Sequence, residues 1–211
     1  MRHGRRLLVL AVALPLLAAC GSDADPDDEA SRLLFSPTGT AGPVEPTPTG
    51  TQAPTLPPFP ESCTDVVPAG EVVAVVGRPL PGEASFVRAD ALPDIGRTAR
   101  VTCGYGVGEE DEPLLEITVN EYGDAASADE RIQVTLDAAA QSGRTVDDNP
   151  VGPYRGWLLA GAGSGPTLVV DAGARTLVVS LQADVVPEQA APVVLTQLAE
   201  RALGLPTTAA E

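Results

Sequence analysis

The amino-acid sequence predicts an α+β domain in which an antiparallel sheet carries helices on one face. Two observations predict this class. Extended segments with alternating apolar residues occur in two runs of three, and each run is flanked by segments whose apolar residues have helical spacing. Strands that follow one another along a chain pair as antiparallel neighbours, and helices between such runs cover one face of the sheet. The predicted element order is α-β-β-β-α-β-β-β-α.

The first half of the domain is predicted to contain one helix and three strands. The helix begins at Pro68, a residue type favoured in the first turn, and ends at Gly77, where a glycine C-cap is expected. The strands cover residues 85–90, 99–107 and 114–122. Alternate apolar side chains in the last two strands face one side, so we expect an antiparallel hairpin across the acidic loop that precedes Pro113.

The second half is predicted to contain three strands between two helices. The first of these helices begins at a capping box, residues 127–130, and ends at Gly143. The strands cover residues 155–160, 167–171 and 175–182. Gly173 lies in the turn between the last two strands, where a positive φ is expected. Pro192 predicts that the final helix either begins there or is kinked.

The N-terminal residues 1–19 have the pattern of a secretory signal peptide. Three arginines precede an apolar run at residues 7–19, and this run is too short to cross a bilayer. Its ending, Leu-Ala-Ala-Cys-Gly, resembles a bacterial lipobox, which implies cleavage before Cys20 and acylation of the Cys20 thiol. Two or more acyl chains give stable membrane attachment. We therefore expect a mature protein anchored through Cys20 on the extracytoplasmic face of the cell membrane.

Residues 20–58 are predicted to be a disordered tether that begins with the lipidated cysteine. Acidic residues and then prolines and threonines dominate this segment, and such a composition buries too little apolar surface to offset the entropy of ordering. As a flexible coil the tether would span about 35 Å root-mean-square. A single domain is expected at residues 59–205, and residues 206–211 are expected to be a disordered tail.

The composition argues against several classes of function. The chain has 13 arginines and no lysine, its single histidine is His3, and the formal net charge of −16 becomes −19 once the three signal-peptide arginines are removed. Nucleic-acid binding is not expected, because it needs a basic surface. Without histidine or lysine the mature chain lacks the usual general base, the commonest transition-metal ligand and a Schiff-base amine. We therefore expect no enzymatic activity, no cofactor and no metal site.

Cys63 and Cys103 remain as an even pair once Cys20 is acylated. In an oxidising compartment a disulfide is the default for such a pair. A redox-active or metal-binding pair would instead have a close spacing such as Cys-x-x-Cys. We therefore predict a disulfide between Cys63 and Cys103.

Tyr154, Arg155 and Trp157 are the predicted binding residues. Aromatic residues and arginine are enriched among the contacts that dominate binding energies at interfaces. The alternative is that Trp157, the only tryptophan of the chain, anchors the core.

Glycine-rich and acidic segments are assigned structural roles. The glycines at residues 104–108 and 161–165 do not match the spacing of a dinucleotide fingerprint, and Ser164 lacks the flanking glycines of a nucleophile elbow. The acidic residues 109–112 and the segment 147–149 lack the alternating pattern of a calcium loop. We expect the glycine-rich segments to form turns or bulges and the acidic segments to form solvated turns.

Two segments resemble small actinobacterial envelope lipoproteins of unknown function. Residues 63–77 place a cysteine before a short helix that ends in glycine, and Cys103-Gly104-Tyr105 places a cysteine and an aromatic residue on a strand. The element order is also similar to that of extracellular sensor domains of some bacterial serine/threonine kinases. This similarity implies an α+β sandwich with a disulfide, and it brings no catalytic residues.

These observations predict an envelope lipoprotein whose extracytoplasmic domain binds a partner protein or an envelope component without catalysis. One alternative is a carrier or sensor of an apolar small molecule in a pocket between helices and sheet, because valine, leucine and alanine dominate the expected core. A second alternative is a hydrolase that uses two converging carboxylates.

Overall fold

A seven-stranded antiparallel sheet runs through the computed structural model, which describes residues 55–108 and 111–206. The strands are β1 (Ser85–Ala89), β2 (Arg97–Val107), β3 (Pro113–Tyr122), β4 (Thr145–Asp148), β5 (Arg155–Ala160), β6 (Thr167–Ala172) and β7 (Arg175–Leu181). Their order across the sheet is β1-β2-β3-β7-β6-β5-β4, so β1 and β4 form its two edges. The α+β class and the antiparallel pairing are confirmed.

Four α-helices accompany the sheet in the described part of the chain. They are α1 (Cys63–Val66), α2 (Ala69–Val76), α3 (Ala125–Gln141) and α4 (Ala191–Ala202), and short 3-10 turns lie at Pro93–Ile95 and Glu188–Ala190. Gly77 caps α2 with a φ of 80°, as predicted. Pro192 lies in the first turn of α4, so the final helix begins at the proline and the kinked alternative is wrong.

The predicted element order is wrong in two places. Four strands, not three, follow α3, because the edge strand β4 was missed. Its sequence is polar apart from Val146, so it offers no alternation of apolar residues. The predicted first helix corresponds to α2, with Pro68 as its N-cap residue, and the short helix α1 before Pro68 was not predicted.

Helix α3 also begins earlier than the predicted capping box. Its N-cap is Asp124, whose side chain accepts a hydrogen bond from the backbone N–H of Ser127 at 2.7 Å. Aspartate is as good an N-cap as serine, and two alanines extend the helix by a turn. The hydrogen bonds to Ser127 lower the pKa of Asp124.

The helices cover both faces of the sheet, and the prediction of a single covered face is wrong. On one face α1, α2 and α4 pack with the larger core cluster, which includes Val101, Ile117 and Leu177. On the other face α3 packs through Ile132, Leu136 and Ala139 against β4 to β7. Strands β6 and β7 are apolar on both sides, at residues 168–170 and 177–179, as strands covered on both faces are.

The first described residues contact the domain although the sequence assigns residues 55–58 to the tether. Leu56 and Phe59 pack against the larger core cluster. The Pro57 carbonyl accepts a hydrogen bond from Arg175 Nη1 at 2.8 Å, and the Arg175 guanidinium lies 5.6 Å from the centre of the Phe59 ring. The predicted signal peptide, Cys20, most of the tether and nearly all of the tail lie outside the described residues.

Candidate functional site

A polar groove lies on the α3 side of the sheet, between α3 and strands β2 and β3. The apolar residues of α3 pack on β4 to β7, whereas the side chains of β2 and β3 that point to this side are mostly polar. The groove has a volume of about 200 Å³. Its lining residues are Ile95, Arg97, Arg100, Glu116, Thr118, Asn120, Tyr122, Arg131, Ile132, Thr135, Val169, Thr176 and Val178. We call it the arginine groove.

Three arginines from two elements, β2 and α3, line this groove. Arg97 and Arg100 lie on β2, and Arg131 lies on α3, one residue before the buried Ile132 and four before Thr135. Residues four apart share a helix flank, so Arg131 and Thr135 form the wall above the floor strands. The single carboxylate among the lining residues is Glu116.

The guanidinium groups of the groove have few partners within the described part of the chain. Arg100 and Arg131 form no ion pair there, in contrast to Arg155, Arg175 and Arg201. Arg97 Nη2 donates a long hydrogen bond of 3.4 Å to the Asp90 carbonyl, and its buried Nε has no hydrogen-bond partner. The guanidinium groups of Arg100 and Arg131 are therefore not neutralised by a carboxylate within the described residues.

The floor of the groove is a row of buried polar residues. Asn120 lies between Arg100 on β2 and Thr176 on β7 in the strand register. Its Nδ2 donates to Thr176 Oγ1 at 3.2 Å, and the exposed fractions of Asn120, Thr118 and Thr176 are 8%, 4% and 3%. Buried polar groups are costly unless they are satisfied, and these three side chains find partners within the sheet: Asn120 bonds to Thr176, and Thr118 bonds to neighbouring residues.

Glu116 gives the groove a negative end. It lies four residues from Asn120 on β3, which corresponds to about 13 Å along the strand. Thr118, halfway between them, donates to Glu116 Oε1 at 3.3 Å and contacts Thr102 Oγ1 at 2.9 Å. The groove therefore changes along β3 from three guanidinium groups at one end to a carboxylate at the other.

The predicted binding residues lie on both faces of the sheet, although Tyr154 and Arg155 line a common depression of about 510 Å³ together with Asp129 and Asp171. Strand alternation places Arg155 and Trp157 on the α3 side of the sheet, whereas Tyr154 packs against the core of the opposite side. Trp157 is half-buried against the α3 cluster, which agrees better with the alternative that it anchors a core. Burial raises the pKa of the half-buried Tyr154 hydroxyl.

Arg155 is engaged in contacts within the domain. It donates to Asp129 Oδ1 at 2.8 Å and to Asp171, and its guanidinium lies 5.5 Å from the centre of the Trp157 ring. The hydrogen bond to Asp171 is the main cause that raises the pKa of Arg155. Because α3 carries Asp129 and β6 carries Asp171, Arg155 ties the helix to the sheet.

Cys63 and Cys103 are brought together at disulfide distance, with their Cα atoms 5.5 Å apart. Cys63 lies on α1 and Cys103 on the central part of β2, so the pair joins the first helix to the sheet. Next to it, the Tyr105 hydroxyl donates to the carbonyls of Val67 at 2.7 Å and Cys63 at 3.2 Å. These contacts lie on the face opposite the arginine groove.

The glycine-rich and acidic segments form no second site in the described residues. Gly104 and Gly106 lie within β2, and Gly161 and Gly163 have positive φ in the β5–β6 connection. No group of three or more histidine, cysteine, aspartate or glutamate residues stands close enough to hold a metal ion within residues 55–108 and 111–206. The predicted acidic loop lies partly outside these ranges.

Two further cavities bear on the alternative of an apolar ligand. The space between α2 and the sheet, beside Leu80 and Tyr105, is only about 50 Å³. A larger depression of about 380 Å³ lies beside the β5–β6 connection and combines apolar residues such as Leu158 and Val186 with Asp184 and Glu188.

The arginine groove was not predicted from the sequence. Its arginines are separated by up to 34 positions and follow no motif, so only the strand register and the path of α3 bring them to one cavity. A signal was nevertheless present. The polar residues Glu116, Thr118 and Asn120 alternate with the apolar core residues of β3, which indicates that one side of this central strand faces something polar.

Comparisons with known proteins find only weak similarity to solved structures. No family model matches this chain, and no curated protein matches it. Among solved structures, the extracellular domain of PknH from Mycobacterium tuberculosis is similar at 15% sequence identity, over 66% of this chain and 93% of that one, with a TM-score of 0.41. At this level of similarity the function of that domain does not carry over to this chain.

Proposed function

We propose that this protein is a lipid-anchored, non-catalytic binding protein of the cell envelope, and that its arginine groove recognises an anionic envelope component. The observation that carries the proposal is the convergence of Arg97, Arg100 and Arg131 on one cavity. The mature chain has a strongly negative net charge, and the three guanidinium groups form a local cluster of positive charge within it.

Electrostatics supports an anionic ligand in the groove. Like charges that line a common cavity repel one another, and the repulsion grows as water is excluded. A bound anion relieves this repulsion and accepts the charge-assisted hydrogen bonds that guanidinium groups form best. The acidic remainder of the molecule weakens long-range attraction of anions, so we expect recognition to depend on short-range contacts in the groove.

The anchor is the second part of the proposal. The lipobox-like segment before Cys20 supports lipid attachment of the mature chain. In the described residues, none of the helices has the length and apolar character needed to cross a membrane. The tether between Cys20 and the domain would hold the groove away from the bilayer surface, within reach of envelope material.

The two alternative functions have weaker support. An apolar ligand between α2 and the sheet would have only about 50 Å³, which is less than the volume of two water molecules in the liquid. A carboxylate-pair hydrolase needs two acids across one site. The arginine groove offers only Glu116, so this alternative would belong to the depression beside the β5–β6 connection, which Asp184 and Glu188 line.

Native mass spectrometry tests the proposal. The mature chain carrying Cys20→Ser is incubated with an extract of the cell envelope of its host and then separated from unbound material. We expect a discrete added mass on this chain, and we expect the double variant Arg100→Ala/Arg131→Ala to lose it. Arg88→Ala is the matched control, because Arg88 is exposed on β1 and does not line the groove. An added mass that the double variant retains would contradict the proposal.

A further inference from the structure

We infer that the ligand of the arginine groove is an acidic monosaccharide, meaning one sugar ring that bears a single carboxylate or phosphate group. This inference rests on the proposed function and specifies the chemistry of its ligand. It is carried by the joint presence, in one small groove, of three guanidinium groups, a row of buried hydroxyl and amide groups, and a carboxylate.

The size of the groove selects a small molecule. The groove, at about 200 Å³, is smaller than the pockets of about 300 to 1,000 Å³ that hold drug-sized ligands. This volume is enough for one sugar ring with an acidic substituent, whereas a nucleotide or a disaccharide would extend beyond the groove. The ligand is therefore either a free acidic sugar or a single acidic residue of a larger glycan.

The acidic group belongs at the arginine end. Arg100 lies opposite Asn120, and Arg97 lies opposite Tyr122, so both arginines stand at the same end of the floor strands. The planar guanidinium group donates two parallel hydrogen bonds to a carboxylate or a phosphate, which fixes the orientation of the ligand.

Glu116 indicates that the ligand also carries hydroxyl groups. A carboxylate would repel a simple anion, so its presence in a groove of arginines favours a ligand whose other end donates hydrogen bonds. Ionised carboxylates are acceptors only, and neighbouring hydroxyl groups of a sugar present the donors that match them. Thr118 and Asn120 lie between the two ends and supply further polar contacts for the ring hydroxyls.

The remaining lining suits the carbon skeleton of a sugar ring. Ile95, Ile132 and Val178 present apolar surface between the charged groups, and Tyr122 presents an aromatic side chain. Sugar rings have apolar C–H faces that pack on such side chains while their hydroxyls bind polar ones. A bare inorganic anion would leave this apolar surface unused, so it is expected to bind more weakly.

Isothermal titration calorimetry of the mature chain carrying Cys20→Ser tests the inference with five probes. These are D-glucuronate, D-glucose 6-phosphate, D-glucose, acetate and inorganic phosphate. We expect at least one acidic sugar to bind ten times or more tighter than D-glucose and than its own bare anion. Arg100→Ala should weaken this binding by tenfold or more, and Arg88→Ala should leave it unchanged.

The variant Glu116→Gln separates recognition of the sugar from recognition of the acid. It should weaken binding of the acidic sugar by fivefold or more, while the affinity for inorganic phosphate stays equal or rises because a negative charge is removed. Inorganic phosphate that binds as tightly as D-glucose 6-phosphate would overturn the inference and leave the proposed function standing. A second result would also overturn the inference: neither acidic sugar binds, although the mass added from the envelope extract still requires Arg100 and Arg131. The proposed function would then still stand.

Discussion

The Tyr105 side chain shows at the scale of one residue how this fold satisfies a buried polar group. Its exposed fraction is 3%, and its hydroxyl donates to the Val67 and Cys63 carbonyls near the end of α1. Burial raises the pKa of Tyr105 to about 12. The hydroxyl therefore links β2 to the segment between α1 and α2 only while it keeps its proton.

Replacing Tyr105 with phenylalanine is expected to lower the free energy of unfolding by about 1 to 2 kcal/mol at neutral pH, because it removes the donor from two carbonyls. An unfolded tyrosine ionises near pH 10, so the folded state holds this proton more tightly between pH 10 and 12. Ionisation of Tyr105 is therefore expected to lower the free energy of unfolding by about 2 to 3 kcal/mol, at 1.36 kcal/mol for each pKa unit. This stability is fully present below pH 10 and is lost as pH rises through 12.

Urea denaturation of both proteins from pH 8 to pH 12 measures this dependence. The wild type is more stable at pH 8, and its advantage over Tyr105→Phe is expected to shrink and then reverse as Tyr105 ionises. A stability difference that stays constant across this range would contradict the assignment of the raised pKa to a buried, hydrogen-bonded hydroxyl.

At the scale of elements, the link between Cys63 and Cys103 joins the shortest helix to the sheet. Helix α1 has only four residues, too few to be stable alone, so its position depends on this link, on Val66 and Val67 in the core and on the Tyr105 hydroxyl. The two cysteines are separated by 40 positions. Closing a loop of that length in the unfolded chain is expected to stabilise the fold by about 4 kcal/mol in the chain-entropy model.

Cys63→Ser is therefore expected to lower the melting temperature of the mature chain substantially. Differential scanning calorimetry of the variant, of Cys103→Ser and of the double variant measures the effect. The three should be destabilised to a similar degree, because each removes the same cross-link. Single variants that melt like the wild type would contradict the disulfide.

The strands were predictable from sequence where their apolar residues alternate. Residues 155–160, 167–171 and 175–182 match β5, β6 and β7 to within one residue at each end, because each has a continuous apolar face bounded by glycine or proline. Gly173 has the predicted positive φ, 76°. The edge strand β4 was missed because pairing with β5, and not its own pattern, makes it a strand.

The arrangement of helices around the sheet was less predictable than the strands. The paired apolar runs at 168–170 and 177–179 contain the information that β6 and β7 are covered on both faces. A run of consecutive apolar residues, however, also occurs in hairpin strands that have only one buried face. The apolar pattern alone therefore does not show on which face of the sheet α3 packs. The groove depends on that placement, which is why Tyr154, Arg155 and Trp157 were predicted as binding residues and the groove arginines were not.

At the scale of the whole molecule, the proposed account combines an anchor, a tether and a domain that presents the arginine groove. The disulfide, Tyr105 and the larger core cluster stabilise one face of the sheet. On the other face the core cluster of α3 packs beside the polar residues of the arginine groove. Ile132 and Val169 belong to both, so the proposed binding site is built against the part of the core that α3 covers.

Cys20→Ser tests the anchor. The variant is expected to move from the membrane fraction to the soluble fraction, because acylation requires the cysteine thiol. Fractionation of cells followed by immunoblotting measures the distribution, and Cys63→Ser is the control that keeps Cys20 intact. Retention of Cys20→Ser in the membrane fraction would show that another element attaches the protein.

The central claim, that the arginine groove recognises an anion, is tested most directly by nuclear magnetic resonance of arginine side chains. The mature chain carrying Cys20→Ser is labelled with ¹⁵N, and its arginine Nε–H signals are followed as inorganic phosphate is added at constant ionic strength. We predict saturable shifts for Arg97, Arg100 and Arg131, with little change for the exposed Arg88. Uniform small shifts of all exposed arginines, or no shift in the groove, would contradict the account.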